Sequence, residues 1–194
     1  MRLFWTGTDA LMMVDLSKRK LRKRPFWLVM RVIVKFLDRH ALESHITNWP
    51  GISMELRQFG VKKPIELRLT PLKYTKKLER VPHRSFNILY YKPYGTYPKF
   101  RDWLYGIDLI ERLKKDIPEA NFIEVGLGTD AERNMELVYP HIDFMVRPNR
   151  HDGYSRMVRE CDIQDISYYW SDTNPDYELM RKKVYEAIQN HRKG

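Results

Sequence analysis

The sequence feature that most constrains the fold is an apolar run followed at once by turn residues and a helical pattern. Residues 142–146 are apolar except for Asp143 and predict a buried strand, which Pro148, Asn149 and Gly153 end before a helix begins. In an open α/β sheet, ligands bind outside the carboxyl ends of the strands, and the free N–H groups of a helix N-terminus favour an anionic group such as a diphosphate. The stretch therefore predicts an anion site between this strand and the helix.

Charged side chains surround the predicted anion site. The loop carries Arg147, Arg150 and His151, so its polar side is cationic. Asp152 stands at the helix entrance and Glu160 lies a little over two helical turns further on, so both carboxylates can lie near one face. Two carboxylates then flank one anion site, which is lined by cationic side chains.

This pattern resembles that of the retaining GT-B glycosyltransferases, whose signature is Glu, seven residues, Glu, with Gly after the first Glu. Asp152 stands for the first acid, Gly153 for the glycine and Glu160 for the second acid. The resemblance extends backward through three further segments: a strand and Gly-x-Gly turn at residues 121–128, the first strand of the nucleotide-binding domain at 87–91, and the helix start that follows it at 105–110. It covers roughly Phe86 to Ser171.

The resemblance implies a role for each candidate residue. Asp152 would bind the sugar hydroxyls of a nucleotide-sugar donor, Glu160 the ribose hydroxyls, and the amides of Gly153, Tyr154 and Ser155 the diphosphate. Lys92, together with Lys99 or Arg101, would neutralise the charge that develops on the leaving nucleotide. Arg147 and His151 are further candidates for donor binding. No metal and no other cofactor is expected, because the cations and the helix dipole supply the positive charge.

The resemblance also implies two unequal lobes. Residues 1–80 would form a shortened acceptor-side lobe that begins partway through a GT-B enzyme, and residues 81–194 the nucleotide-sugar-binding domain. The segment 73–84 is polar, basic and contains Pro82, so it predicts the linker. Strands alternate with helices through the second half, which favours an α/β fold with Rossmann-like parallel sheets.

Composition bounds the class of protein. Hydrophobic residues make up 43% of the chain, which is ample for a core, and the formal net charge of +10 implies attraction to polyanions. The single cysteine, Cys161, excludes an internal disulfide, favours a reducing compartment such as the cytoplasm, and is expected to be a small core residue. No signal peptide and no apolar stretch of about 20 residues is present.

One N-terminal segment predicts either a membrane contact or an ordinary core helix. A basic run, Lys18 to Arg24, precedes a helical pattern in which Phe26, Met30, Ile33 and Leu37 share one side. Such a segment can lie on an anionic membrane, and a helix facing the core behind a solvated basic loop explains it equally well. Because acceptors of the resembled family are often lipid-linked, peripheral association with the inner membrane face is one expectation.

Two other functions remain open at this point. The chain could be a relative that binds a nucleotide or nucleotide-sugar without catalysis and needs a partner chain or self-association. Its charge and the aromatic, cationic loop at residues 92–101 would also suit single-stranded nucleic acid, although no nucleic-acid motif is present.

Overall fold

The chain divides into two compact units, each described by itself below. The computed structural model describes residues 1–5, 24–48, 50–92, 98–126, 134–151 and 155–192. The first unit is Met1–Pro71 and the second is Leu72–Gly194. The sequence prediction places the boundary after residue 80, whereas the structure places residues 72–80 with the second unit.

The first unit is a small parallel α/β sheet. Its elements are β1 (Arg2–Trp5), α1 (Arg24–His40), β2 (Ser44–Thr47), α2 (Pro50–Phe59) and β3 (Ile65–Leu67). The strands lie in the order β1-β2-β3, and both pairs are parallel, with Phe4 opposite Ile46 and Ile46 opposite Glu66. Helix α2 stops where Gly60 takes φ 97°, a left-handed conformation that favours glycine.

Helix α1 is more apolar than one buried face requires. Val34 is buried, and Trp27 and Met30 pack against the core that Val34 shares with α2. Phe26 and Ile33, which the helical spacing placed on the apolar side with Met30, are exposed. Four more large apolar side chains of α1 are exposed as well: Leu28, Val29, Val32 and Phe36. No described helix is both long enough and apolar enough to span a membrane.

The second unit is a larger sheet with helices on both faces. Its elements are β4 (Asn87–Tyr91), α3 (Pro98–Leu104), α4 (Ile107–Asp116), β5 (Asn121–Val125), α5 (Met135–Val138), a 3-10 turn (Tyr139–His141), β6 (Phe144–Pro148), α6 (Arg156–Gln164), β7 (Ser167–Ser171) and α7 (Tyr177–His191). All neighbouring strands are parallel, in the order β5-β4-β6-β7. The predicted strands at 87–91, 121–125 and 142–146 are confirmed, the last beginning at Phe144.

Both faces of this sheet are covered, which explains why its central strands are continuously apolar. Ile88 and Val146 face one core cluster, shared with α4 and α7. Leu89 and Met145 face the other, shared with α5 and α6. Alternate residues of the same strand therefore enter different cores.

The strand order places a topological switch point between β4 and β6. The chain leaves β4 toward β5 on one side, and returns from β5 to β6 on the other side of β4. Connections that run in opposite directions from neighbouring strands open a crevice outside their carboxyl ends, and ligands bind there in open α/β sheets. Tyr91 ends β4 and Pro148 ends β6, so the residues that follow them border this crevice.

Candidate functional site

A fixed guanidinium stands at the carboxyl end of β6. The Arg147 side chain is 8% exposed, and its Cζ lies 5.2 Å from the ring centroid of Tyr91 and 5.4 Å from that of Tyr105. The two rings are themselves 5.4 Å apart. A desolvated cation held against two aromatic faces has little freedom to move, and this contact fixes Arg147 beside the switch point.

The turn before α4 approaches β6 very closely. Gly106 precedes α4 and has φ 65°, a left-handed conformation that favours glycine. A Cβ at this position would lie 2.1 Å from the Pro148 carbonyl oxygen, so any side chain would collide with the end of β6. The helix start predicted at residues 105–110 is confirmed, and its glycine is needed for contact with the strand.

Arg150 fastens the loop after β6 to the same turn. Its two terminal nitrogens donate to the two carboxylate oxygens of Asp108, each at 2.7 Å, and one of them also donates to the Trp103 carbonyl at 2.6 Å. Its backbone N–H donates to the Leu104 carbonyl at 2.8 Å. The hydrogen bonds from Arg150 outweigh burial and lower the pKa of Asp108. Arg150, which the sequence presents as one more loop cation, is thus a positioning residue for the loop.

The start of α6 is partly described. Ser155 is the residue before the helix, is buried, and makes no side-chain capping bond. No acidic residue occupies the first turn, and the first N–H groups of a helix have no partner within it. Three of the predicted contacts, Asp152, Gly153 and Tyr154, lie outside the described residues. Ser155 is the described member of the predicted diphosphate cradle.

Glu160, the predicted ribose ligand, is buried and hydrogen-bonded. It is 2% exposed. One carboxylate oxygen accepts from the Lys73 N–H at 3.1 Å, and the other accepts from the Tyr139 hydroxyl at 2.8 Å. Burial, followed by the nearby Cys161 and Glu160, raises the pKa of Tyr139, so its phenol stays protonated and donates. Arg156 Nε lies 3.6 Å from Glu160 Oε1.

The segment predicted as a linker is bound along the second unit. We call residues 72–81 the strap. Besides the Lys73 bond to Glu160, the Leu78 N–H donates to Gln164 Oε1, and Gln164 Nε2 donates back to the Lys76 carbonyl, both at 2.8 Å. The Val81 N–H donates to the Pro140 carbonyl at 3.0 Å. The strap has no helix or strand, and buried side chains of α6 satisfy its backbone.

The other predicted cations are spread around this edge. The Lys92 ammonium lies 3.8 Å from Glu124 Oε2 on β5, which is the side of β4 away from β6. Lys99 is exposed and Arg101 half-buried, both on α3, and His151 is half-buried directly after Arg150. The structure thus places Arg147 at the end of β6, with His151 and Ser155 following it in the chain, and turns Lys92 toward β5.

Three contributing residues had no clear signal in the sequence. Tyr91 and Tyr105, which hold Arg147, sit at the end of a strand and before a helix, where aromatic residues are common. The Asp108 carboxylate that holds Arg150 is 42 residues away in the chain. Cys161 is a buried core residue as expected, and burial raises the pKa of its thiol. Among the described residues, no three His, Cys, Asp or Glu side chains are grouped so that they could hold a metal ion.

No protein-family model matches the sequence, and no curated protein matches it. A solved structure that matches is the lipopolysaccharide outer core galactosyltransferase WaaB in its apo form, with 10% sequence identity and a TM-score of 0.51. The match covers 92% of this chain and 58% of the WaaB chain, so the chain spans less than two thirds of that protein. At this identity the similarity concerns the fold. The predicted α/β class with Rossmann-like parallel sheets is confirmed, and the chain has a glycosyltransferase-like, GT-B-like fold.

Proposed function

We propose that the protein is a nucleotide-sugar-dependent glycosyltransferase that binds its donor at the carboxyl edge of the second sheet. The observation that carries the proposal is the buried Arg147, held between Tyr91 and Tyr105 at the β4–β6 switch point. A preorganised cation at this position favours an anionic ligand, and parallel α/β sheets bind nucleotides there. The glycosyltransferase-like fold agrees with this assignment.

Each predicted residue takes a role in the proposal. Residues 148–155 and the start of α6 receive the diphosphate, with Ser155, Gly153 and Tyr154 offering backbone N–H groups. Asp152 binds the sugar and Glu160 the ribose. Lys92, Lys99, Arg101, Arg147 and His151 supply positive charge, and no metal or other cofactor takes part.

The proposed reaction is sugar transfer with retention of configuration. The bond between the anomeric carbon and the phosphate oxygen breaks, and the nucleoside diphosphate leaves with that electron pair. The acceptor hydroxyl oxygen forms the new bond on the same face and releases its proton. Positive charge near the departing diphosphate lowers the barrier because negative charge grows there in the transition state.

The bonding of Glu160 favours a second candidate, a relative that binds a nucleotide or nucleotide-sugar without catalysis. Both oxygens of Glu160 already accept hydrogen bonds, from the strap and from Tyr139. A ribose contact must therefore use the remaining lone pairs of this carboxylate or displace the Lys73 N–H. If nucleotides bind and no sugar is transferred, the binding-only function is the correct one. The nucleic-acid alternative rests on the net charge and on the aromatic, cationic loop at residues 92–101, without a nucleic-acid motif, and is the weakest of the three.

A thermal-shift screen of nucleoside diphosphates and their sugars tests the donor site. A specific ligand stabilises the folded state and so raises the melting temperature. At a ligand concentration a hundredfold above Kd, this stabilisation is about 2.7 kcal/mol. Arg147→Gln should abolish the ligand-induced shift, measured against its own unliganded form. Arg181→Gln, which removes a cation from α7, is the control and should keep the shift. An unchanged shift in Arg147→Gln would contradict the proposed site.

The acceptor is proposed to be lipid-linked, at the inner face of a membrane. The matched neighbour is named for lipopolysaccharide, and the exposed apolar residues of α1 could enter an anionic lipid surface in this protein. Binding to anionic vesicles that fades with salt is the expected result of co-sedimentation. Equal pelleting with neutral and anionic vesicles, or none, would exclude this acceptor surface.

The isolated chain is expected to transfer sugar weakly and to hydrolyse the donor slowly. An open donor site admits water, whereas closure by a second lobe normally excludes it. A partner chain or self-association would then complete the acceptor site. Efficient transfer by a protein that light scattering shows to be monomeric, in the absence of lipid, would contradict this expectation.

A further inference from the structure

The first unit contains a cationic pocket at the amino edge of its sheet, where the parallel strands begin. The pocket has a volume of about 410 Å³ and is lined by Lys35, Asp38, Arg39, Gly60, Lys62 and Lys63. It lies between the end of α1 and the chain that leads from α2 into β3, which is the amino edge of the parallel sheet. Its size is in the range of small-molecule sites.

The backbone around the pocket is held by local geometry. After α2, the Gly60 N–H donates to the Arg57 carbonyl at 2.9 Å and the Val61 N–H donates to the Leu56 carbonyl at 3.0 Å. These two bonds form a Schellman motif, in which Gly60 takes the left-handed position and Val61 makes the buried apolar contact. The helix therefore ends in one defined turn, which sets the direction of the next residues.

Asp38 fixes the two residues after this turn. Its carboxylate accepts from the Lys62 N–H at 3.0 Å and from the Lys63 N–H at 3.1 Å. It also lies 3.0 Å from His45 Nε2, while His45 Nδ1 accepts from Trp5 Nε1 at 2.9 Å. Since Nδ1 accepts, Nε2 carries the proton and donates to Asp38. These hydrogen bonds outweigh burial and lower the pKa of Asp38.

This arrangement uses the one carboxylate of the pocket to bind backbone, and leaves four cations lining the same pocket. Lys35 and Arg39 stand one helical turn apart on α1, a spacing at which like charges destabilise a helix. Among the residues that the structure describes, none of the four is ion-paired with a carboxylate. The Lys35 ammonium instead lies 5.1 Å from the Phe59 ring centroid. A bound anion would relieve this repulsion.

We propose that this pocket is a binding site for a phosphate group, in which Lys35, Arg39, Lys62 and Lys63 surround the phosphate oxygens. A lipid headgroup at a membrane surface and a free phosphate compound offer the same chemistry. The site is independent of the donor site proposed for the second unit, because it lies on another sheet and at the amino edge rather than the carboxyl edge.

The test compares a double variant with a matched one. Lys62→Gln with Lys63→Gln removes two pocket charges but keeps the two backbone N–H groups that bind Asp38, so the turn should fold unchanged. Lys182→Gln with Lys183→Gln removes two neighbouring exposed lysines of α7 and makes the same change in net charge. Lys62→Arg with Lys63→Arg keeps the charge in the pocket.

Two probes separate the sources of the phosphate. Inorganic phosphate, titrated into the full chain and followed by calorimetry, tests a free ligand. Vesicles of phosphatidylcholine with and without phosphatidylglycerol test a lipid headgroup. With one probe or both, the pocket variant should bind on the order of tenfold more weakly than the parent chain. The α7 variant and the arginine variant should bind as tightly as the parent chain.

An equal loss in the pocket and α7 variants would show that net charge alone attracts the anion, and would overturn the proposal. So would the absence of binding to both probes in the parent chain. The nucleotide-induced thermal shift is measured on the same variants. It should survive in the pocket variant, so failure of the donor proposal and failure of this one are distinguishable.

Discussion

The two units cover their apolar residues to different extents. In the second unit, core clusters lie on both faces of the sheet, and the central strands β4 and β6 are almost wholly buried. In the first unit, the described core is one cluster beneath α1 and α2. The outer side of α1 exposes six large apolar residues, of which Val32 is 69% exposed. The first unit therefore leaves apolar side chains exposed on a helix, whereas the second unit buries its central strands.

The buried polar groups differ in the same way. In the second unit, Glu160 and Gln164 of α6 bind the strap, and Arg150 binds Asp108 and so joins the loop after β6 to α4, and these bonds hold one scaffold together. In the first unit, Asp38 binds the turn that carries Lys62 and Lys63 toward solvent. The difference is that polar groups of the second unit hold its scaffold together, whereas the first unit exposes charge and apolar surface.

The largest expected effect is a difference in stability between two glycine-to-alanine variants, one in each unit. Gly106→Ala should destabilise the second unit by roughly 3 kcal/mol or more, because the left-handed backbone costs about 1–2 kcal/mol and the new Cβ overlaps the Pro148 carbonyl. Gly60→Ala should lose only the stability that the left-handed backbone costs, about 1–2 kcal/mol, because nothing lies within 4 Å of its Cβ position. Urea unfolding of both variants measures the difference. Equal losses would mean that the close approach of Gly106 to β6 is not tight.

The next effect concerns the buried carboxylate under the strap. Glu160→Ala should destabilise the protein by about 2–4 kcal/mol, because the Lys73 N–H and the Tyr139 hydroxyl each lose an acceptor. Tyr139→Phe removes one of the two bonds and should cost less. Chemical denaturation gives the free energies, and limited proteolysis near residue 76 reports release of the strap. A stable Glu160→Ala variant with a protected strap would contradict the structural role.

A smaller effect depends on pH. His83 Nε2 lies 2.8 Å from Asp143 Oδ2, and Nδ1 lies 2.7 Å from the Val81 carbonyl, so both ring nitrogens face acceptors. These bonds outweigh burial and the nearby Arg80, and raise the pKa of His83. The stabilisation is complete below the unfolded pKa of about 6.5 and is lost as pH rises through the folded pKa.

The second unit should therefore lose stability as the pH rises above about 6.5, and the loss should shrink in His83→Gln. Melting curves recorded at a series of pH values measure it. His191, whose Nδ1 lies 3.6 Å from Asp143 Oδ1, shares the carboxylate, so His191→Gln is the companion variant. A pH dependence that persists unchanged in both variants must come from other groups.

The smallest expected effect on stability comes from the exposed side of α1. Val32→Ser should change the free energy of unfolding by no more than about 0.5 kcal/mol, as is usual for surface positions, yet weaken vesicle binding. Val34→Ala, two residues away on the buried side, should cost about 1.6 kcal/mol, from two methyl-sized groups, and leave vesicle binding intact. A large loss of stability in Val32→Ser would show that this face is covered within the protein itself.

Much of the fold was predictable because its signals are local. The apolar runs that form β4, β5 and β6 are bounded by turn residues. Gly60 marks the end of α2, and Gly106 marks the start of α4. Such features depend on neighbours within a few residues, which a sequence displays directly. The helix that carries Glu160 begins at Arg156, and the predicted relation between Asp152 and Glu160 stays a prediction, because Asp152 lies outside the described residues.

The positions of the candidate residues along the fold were predictable, but their contacts were not. The sequence indicated the end of β6 and the loop after it, and the structure places Arg147 in β6, His151 in that loop and Ser155 directly before α6. It could not indicate that Lys92 turns to Glu124 of β5, because that depends on which strand lies beside β4. Nor could it indicate that Arg150 binds Asp108, since an exposed and a bonded arginine look alike in a sequence.

The sequence by itself determined the alternation of strands and helices, the charge and the amphipathic character of α1. The tertiary structure alone decided that the polar segment 72–81 is a strap on the second unit, and that Asp38 is the organiser of a cationic pocket. The physical reason is that the role of a buried polar residue depends on the group with which it forms a hydrogen bond in the folded protein. Strap bonds such as Lys73 N–H to Glu160 join residues 87 positions apart, and no local pattern encodes such a pair.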